Sequence, residues 1–343
     1  MLKPHFNWPS GLVNIWSTCL ERDYASISSG DNSPMIYTLT LNPAVDRELT
    51  IPAIEFNTVL RATDWRVDVG GKGFNVSRML MSLGMPSTAL AFAGGRSGEM
   101  LCDGLEALGV STDFVWVAGD TRTNVSIITA DHDRYIKVNE PGPTVSAKDQ
   151  TALLDKIDDL ARPDDWWVLS GSLPPGIAAT FYAEAITIIQ RKDARVILDS
   201  SGAALHHGCM ANPFLAKPND VEAQALTGLP VENLEQIIEV ITAVHHLGPA
   251  NVVISLGKEG AVFGDGRDIW LAAAPPISEA NPIGAGDSMM GGLVWGLSQG
   301  QGLDVAMRWA LACGSATASQ PGTAVGSREL VETLATQVRI TPI

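Results

Sequence analysis

Three times in the second half of the chain an apolar strand runs into a small polar turn and then into a helix, and this alternation restricts the fold more than any other feature. Trp166-Trp167-Val168-Leu169-Ser170-Gly171 precedes a helix over 178–191, Arg195-Val196-Ile197-Leu198-Asp199-Ser200 repeats the plan, and Leu215-Ala216-Lys217-Pro218-Asn219 repeats it again. Strands separated by helices pair in parallel through right-handed crossovers. The expected fold class is α/β: a Rossmann-like, mostly parallel sheet flanked by helices, with the ligand-binding turns gathered at the carboxyl ends of the strands.

The first half adds a different texture. A β-rich run begins at Met35 and ends at Asn42-Pro43-Ala44-Val45-Asp46. Short alternating stretches at 48–51 and 65–69 read as exposed antiparallel strands, and 114–117, 124–129 and 134–138 as further lid or edge strands. Together they predict a small β-sheet lid drawn from 46–69 and 113–140. Residues 1–34 hold no charged segment leading into an apolar one, so they are read as a dispensable, poorly ordered N-terminal extension and not as a secretory signal. Residues 35–343 show no repeat or linker that divides them, which predicts one domain.

Charge and cysteine content narrow the partners. The chain carries 23 basic and 38 acidic residues, a net −15, which argues against nucleic acid and against an anionic membrane surface. No apolar run approaches the ~18 residues a membrane-spanning helix needs. The four cysteines, Cys19, Cys102, Cys209 and Cys313, have no C-x-x-C spacing and suit a reducing cytoplasm. The histidines come singly or as adjacent pairs whose side chains diverge, a poor basis for a metal site.

The chemistry concentrates in Asn281-Pro282-Ile283-Gly284-Ala285-Gly286-Asp287-Ser288, a glycine-loosened turn opening a helix. Free N–H groups at Ala285, Gly286 and Asp287 at the positive end of a helix dipole make an anion site. A carboxylate beside an anion repels it, so the useful role for Asp287 is to take a proton from a hydroxyl attacking phosphorus. The competing reading is an ordinary helix start with an acidic first turn. Neither a G-x-x-x-x-G-K-[ST] phosphate loop nor a complete dinucleotide fingerprint is present.

Further candidates lie along the same predicted edge. Asn42 and Asp46 put an amide and a carboxylate after the first strand, though Asp46 can equally cap a turn. Gly70-Gly71-Lys72-Gly73-Phe74-Asn75 is a glycine turn feeding an amphipathic helix, with a cation and an amide at its mouth. Arg122 and Lys137, among short polar residues, are candidates for a paired phosphate grip. Asn219 and Glu222 are spaced either as oxygen ligands for a hydrated Mg²⁺ or as a capping box. Val252 to Phe263 reads as strand, glycine loop and hairpin partner over a purine, and Gly314-Ser315-Ala316 as a small-residue face for a flat base.

Six segments in this order resemble the ribokinase-like (PfkB) carbohydrate kinases, and within them the phosphosugar branch of 1-phosphofructokinase, tagatose-6-phosphate kinase and the minor 6-phosphofructokinase. They are the run from Tyr37 to Asp46, Gly70 to Arg78, Ser170 to Gly176, Lys217 to Glu222, Val253 to Gly257, and Gly284 to Ser288. The resemblance implies a ribokinase-like core whose β lid often clasps a second subunit, hence a homodimer. It implies Asp287 as general base, with Gly284, Ala285 and Gly286 in the anion hole. Sugar contacts fall on Asn42, Asp46, Gly70, Gly71, Lys72 and Asn75, and the substrate's phosphate on Arg122 and Lys137. ATP is implied at Lys217, Asn219, Ser255, Gly257, Gly260 and Gly314, with Mg²⁺ organised by Asn219 and Glu222, usually through water. The sequence departs from the family at Asn281-Pro282-Ile283, which lacks the Thr or Ser many members carry and loses a backbone N–H, against a monovalent-cation site there.

The expected activity is ATP- and Mg²⁺-dependent phosphorylation of a ketohexose monophosphate, fructose 1-phosphate first, with 6-phosphofructokinase and tagatose-6-phosphate kinase activities as alternatives. Two other classes stand against it. A kinase of an unphosphorylated sugar or nucleoside has no use for Arg122 and Lys137, and a non-catalytic sugar or nucleotide sensor has no use for Asp287.

Overall fold

The computed structural model describes residues 34–131 and 134–343. The expectation of a disordered extension at 1–34 concerns residues that, Pro34 excepted, lie outside this range. In chain order the elements are β1 Ile36–Thr40, β2 Ala44–Ile51, β3 Asp64–Gly70, α1 Lys72–Ser82, β4 Thr88–Ala93, α2 Gly95–Ala107, β5 Ser111–Thr112, β6 Val115–Trp116, β7 Arg122–Thr129, β8 Tyr135–Asn139, α3 Ala147–Leu160, β9 Trp166–Ser170, α4 Phe181–Gln190, β10 Arg195–Asp199, α5 Gly202–Met210, β11 Leu215–Ala216, α6 Asp220–Thr227, α7 Leu234–Leu247, β12 Asn251–Ser255, β13 Gly260–Gly264, β14 Ile269–Ala273, α8 Ala285–Ser298, α9 Leu303–Ala318, α10 Arg328–Ala335 and β15 Arg339–Pro342.

The main sheet runs β15-β14-β13-β12-β11-β10-β9-β1-β4-β5, with β6 also on β4. From β12 to β5 every pairing is parallel; β13, β14 and β15 continue the sheet antiparallel. Its central strands are apolar throughout because both faces are covered. Along β9 successive side chains go to opposite cores: Trp166 and Val168 pack with α1, α8, α9 and α10, while Trp167 and Leu169 pack with α3, α4 and α5. In α1 and at its C-cap the apolar positions Val76, Met79, Leu80 and Leu83 are all buried, as their spacing predicts.

A second sheet of four strands has the order β3-β2-β7-β8. The predicted antiparallel pair is β2 with β3, in register at Asp46 and Asp68. One expected member is elsewhere: the 114–117 stretch supplies β6, which pairs in parallel with β4 at the edge of the main sheet. The reason is burial, since Val115 and Val117 complete the core beneath β4. Helix α2 starts earlier than its apolar pattern, at Gly95, and α4 later, at Phe181.

The helix that opens at the glycine turn, α8, is pinned against α9 by close backbone approach. A Cβ on Gly292 would lie 2.6 Å from both Trp309 O and Cys313 Sγ, and one on Gly296 2.8 Å from Ala306 Cα. Alanine at 292 gains about 1 kcal/mol of helix propensity over glycine. It forces a methyl into backbone that cannot retreat, a cost of about 1–3 kcal/mol. The net expectation for Gly292→Ala is a lowered thermal unfolding midpoint, read by calorimetry on the full chain.

Candidate active site

The parallel strands deliver their carboxyl ends to one edge, and the polar residues stand there. β1 leads to Asn42, β9 ends at Ser170, β10 at Asp199, and β11 is followed by Lys217, Pro218 and Asn219. The N-termini of α1 and α8 meet over this edge, joined by one bond: Asn75 Nδ2 donates to Asp287 Oδ2 at 2.8 Å.

Gly284 caps α8 with φ 79°, a left-handed conformation that favours glycine. The first intrahelical bond runs from Ser288 N to Gly284 O at 2.9 Å. One expectation is corrected here. Ala285 N–H is not free but donates to Pro282 O at 3.2 Å, because the turn closes on itself, so the open amides are those of Gly286 and Asp287. Space in front of Gly286 is empty.

Lys72, the first residue of α1, points down to the sheet, where its Nζ donates to Asp199 Oδ1 at 3.1 Å. From the other side Lys217 Nζ stands 3.5 Å from Asp199 Oδ2. Asp199 and Lys217 are buried, at 1% and 4% exposure. Burial works to raise the Asp199 carboxyl, but Lys217 and Lys72 outweigh it and hold it below the ordinary value. Burial likewise works to lower Lys72, and Asp199, Asp287 and Glu222 reverse it, up to about 12. Asp287 has the opposite balance: burial, then the charge of Asp199, push it up to about 6 against the Asn75 bond, Lys72 and Lys217. Two acids on one edge are thus driven apart, one held as carboxylate and one poised near neutrality.

Asp199 is the residue that sequence reasoning missed. A lone acid ending the apolar run Val196-Ile197-Leu198 was the available signal, since a buried carboxylate needs a charged partner.

On the four-stranded sheet, Asp46 Oδ1 accepts from Asn124 Nδ2 at 2.8 Å, and burial raises its carboxyl against that bond and the charge of Lys137. A Cβ on Gly70 would collide with the other carboxylate oxygen. Gly71 is the N-cap of α1 with φ 152°. Asn42 is buried and donates to Pro141 O at 3.2 Å, while its Oδ1 has no partner. Arg122 differs from a free phosphate grip. Its Nη groups donate to the backbone oxygens of Glu140 and Asn42, each at 3.0 Å, which fixes the guanidinium at the start of β7. Lys137 is exposed on β8, opposite Ser126.

Asn219 and Glu222 form the capping box that their spacing allowed. Glu222 N donates to Asn219 Oδ1 at 2.8 Å and Asn219 N to Glu222 Oε2 at 2.9 Å. Beyond them Ser255 N donates to Pro218 O at 3.1 Å, and Gly257 begins a short 3₁₀ turn with φ 58°. Gly260 is buried at the start of the hairpin strand β13, where a Cβ would collide with Ala272 O. Gly314 stands half-buried against the first turn of α8, 3.1 Å from Ala285 O for an added Cβ. Its neighbours Ser315 and Ala316 are buried, so the small-residue face serves helix packing and only Gly314 keeps partial exposure. No cluster of three acidic, His or Cys side chains able to hold a metal occurs among the described residues, and no helix there is long and apolar enough to cross a membrane.

Comparison with known proteins gives the arrangement a context. The pfkB family carbohydrate kinase pattern matches residues 35–330. The 1-phosphofructokinase of Borreliella burgdorferi is 35% identical over 285 residues, 83% of this chain and 92% of that protein. The ATP-dependent 6-phosphofructokinase isozyme 2 of Mycobacterium tuberculosis is 34% identical over 306 residues, 88% of this chain and 89% of that protein. The crystal structure of Escherichia coli phosphofructokinase-2 in complex with potassium superposes with a TM-score of 0.84 at 30% identity, covering 88% of this chain and 98% of that one. The ribokinase-like fold, the edge on which the polar residues converge and a match that spans most of the chain agree: this protein belongs to the pfkB family of carbohydrate kinases, phosphotransferases that act on a hydroxyl group.

Proposed function

We propose that the protein transfers the γ-phosphoryl group of ATP to a hydroxyl of a ketohexose monophosphate, with fructose 1-phosphate the favoured acceptor. The observation that carries the chemistry is Asp287, poised near neutral pH beside two open amides and two lysines that share one buried carboxylate. The 1-phosphofructokinase relatives carry the choice of acceptor. Relatives that are a 6-phosphofructokinase and a D-tagatose-1-phosphate kinase make fructose 6-phosphate and tagatose 1-phosphate the comparison substrates.

In this reading the acceptor lies between the two sheets. Asp46 and Asn42, with the glycine backbone at Gly70 and Gly71, hold its hydroxyls, and Arg122 and Lys137 hold its phosphate. Asp287 takes the hydroxyl proton as that oxygen bonds to the γ-phosphorus and the bond to the bridging oxygen of ADP breaks. Charge gathering on the transferred group is spread over the amides of Gly286 and Asp287 and over Lys217, a matter of positioning and electrostatics. Ser255, Gly257 and Gly314 line the path of the nucleotide. Residues around Asn219 and Glu222 suit Mg²⁺ held mainly by phosphates and water: Glu222 spends one carboxylate oxygen on the helix cap, and among the described residues no group of three acidic, His or Cys side chains occurs that could build an all-protein cage. Bound there, Mg²⁺ supplies neutralisation of the phosphate charge.

The four-stranded sheet supports a second part of the proposal, a homodimer. A row of apolar side chains crosses all four strands in register, Trp65, Leu49, Ile127 and Ile136. Trp65 is 57% exposed, and Val138 beside this row 58%. A flat apolar sheet face of this kind needs a cover, and a second lid provides one.

Asp287→Asn is expected to lower kcat by about 10²–10⁴-fold in an ADP-release assay, the usual worth of a general base. In the parent enzyme kcat should fall on the acid side of about pH 6, where Asp287 protonates. The stability effect has the opposite sign. A folded value above the ordinary 3.8 favours the folded state when the group is protonated, a stabilisation fully present below about pH 4 and lost as pH rises through about 6. Asp287→Asn should therefore raise the unfolding free energy at neutral pH, by about 1–3 kcal/mol, with the gain vanishing in acid.

Neutralising the phosphate grip with Arg122→Met and Lys137→Met should raise KM for fructose 1-phosphate by at least about tenfold, with KM for ATP unchanged. An unchanged sugar KM would point instead to an unphosphorylated acceptor. Trp65→Glu should convert the dimer to monomer in light scattering; a parent chain already monomeric at assay concentrations would end the dimer proposal.

A further inference from the structure

The two ends of the Asn75 amide are chemical opposites: Nδ2 only donates and Oδ1 only accepts. Nδ2 donates to Asp287 Oδ2 at 2.8 Å, and Oδ1 accepts from Arg78 Nη1 at 3.1 Å. A carboxylate has no donor and a guanidinium no acceptor, so this chain of three is satisfied in one orientation of the amide only. With Arg78 in place, a flip of Asn75 would set oxygen against carboxylate and nitrogen against guanidinium.

Arg78 is itself held from the far side. Its Nη2 donates to Thr323 O at 2.9 Å, in the loop that follows α9. The neighbouring carbonyl of that loop, Gly322 O, accepts from Asn281 Nδ2 at 2.8 Å, and Asn281 Oδ1 accepts from Ile283 N at 3.0 Å. Asn281 leads directly into Gly284 and the open amides. Gly322 has φ 66°, and a Cβ there would collide with Arg66 Nη1 of β3, so the loop holds this position without a side chain. One short loop therefore anchors both the amide that faces Asp287 and the turn that carries the anion hole.

We propose that Arg78 is a positioning residue for phosphoryl transfer: it locks the Asn75 amide with Nδ2 toward Asp287 and ties that pair to the Gly322–Thr323 loop. The proposal rests on Asp287 being the general base. Its physical content is that Asp287 Oδ2 is occupied and oriented, which leaves Oδ1 to take the hydroxyl proton along one direction. The charged groups that face Asp287 are Asp199 on β10, Lys72 on α1 and Lys217 after β11, and Arg78 is not among them. Arg78 faces Asp68 on β3. Loss of Arg78 thus reaches Asp287 through the amide. An Asn75 free to turn its oxygen toward the carboxylate disfavours the ionised form and moves its titration upward.

The test is steady-state kinetics on the full chain with ATP and fructose 1-phosphate, across pH, for Arg78→Met and for Asn75→Ala with and without it. Arg78→Met is expected to lower kcat by about 10–10²-fold with both KM values within about twofold, and to move the acid limb of kcat to higher pH. On the Asn75→Ala background it should cost nothing further, because its route to the base is already gone. Arg78→Lys keeps the charge but not the fork of donors that reaches two acceptors at once, and it is expected to show the same loss and the same shift of the limb should Arg78→Met not fold. Full turnover with an unmoved limb in whichever variant folds, a loss confined to KM, or losses that multiply on the Asn75→Ala background would overturn the proposal. Asp287→Asn measured alongside separates the two readings: if it retains turnover the base assignment fails and this proposal with it, whereas an inactive Asp287→Asn beside a normal Arg78→Met removes the positioning role alone.

Discussion

A carboxylate buried between two lysines holds the working edge of this molecule together. Asp199 ends a strand covered on both faces, where an unpaired charge would be prohibitive, and Lys72 and Lys217 approach it from the head of a helix and from a strand end. Those three residues come from three separate βα units. Their mutual attraction fixes the glycine turn before α1 relative to the turn before α6, which are the sugar side and the nucleotide side of the proposed site. An ion cluster of this kind is weak evidence for stability, because desolvation consumes much of the Coulomb gain. What it secures is geometry: Asp199 is the carboxylate with which both lysines form an ion pair, and that shared contact pins the strand end.

The same cluster explains why the second acid behaves differently. With both lysines spent chiefly on Asp199, Asp287 feels burial and a neighbouring negative charge more strongly than it feels the cations. A fold that wants one permanently ionised carboxylate and one near neutrality needs no metal and no histidine to separate them; it needs unequal access to the same two lysines. The penalty falls on stability above the titration of Asp287, and the tight glycine-mediated contact of α8 with α9 supplies the rigidity that lets the helix carry it.

The two sheets divide the labour. The main sheet is covered on both faces by helices and gives closely packed positions, while the four-stranded sheet has its polar face toward the proposed site and the distal part of its other face bare of helices. Asp46, Asn124 and Arg122 lie on the former, and Trp65, Leu49, Ile127 and Ile136 on the latter. Alternation by twos along a strand puts a polar row and an apolar row on one thin layer, so the substrate contact and the subunit contact proposed above would be two sides of a single element.

Much of this was legible in the sequence, for local reasons. Apolar runs interrupted by small polar turns prescribe parallel strands, helical spacing at Val76, Met79, Leu80 and Leu83 prescribes a buried face, and Gly284-Ala285-Gly286-Asp287 prescribes an acid beside open amides, because each depends on residues within a few positions of one another. Tertiary structure alone decided whatever requires two distant segments to meet. It placed Asp199 between lysines 127 residues before it and 18 after it in the chain. It took Ala285 N–H out of the anion site and bound Arg122 to two carbonyls. It also brought Thr323, 245 positions from Arg78, onto the Arg78 guanidinium that holds Asn75 with its other nitrogen. Hydrophobic pattern and turn chemistry act over one helix turn or one pleat, whereas the partner of a buried charge or amide is chosen by how whole elements pack, and no local rule records that choice.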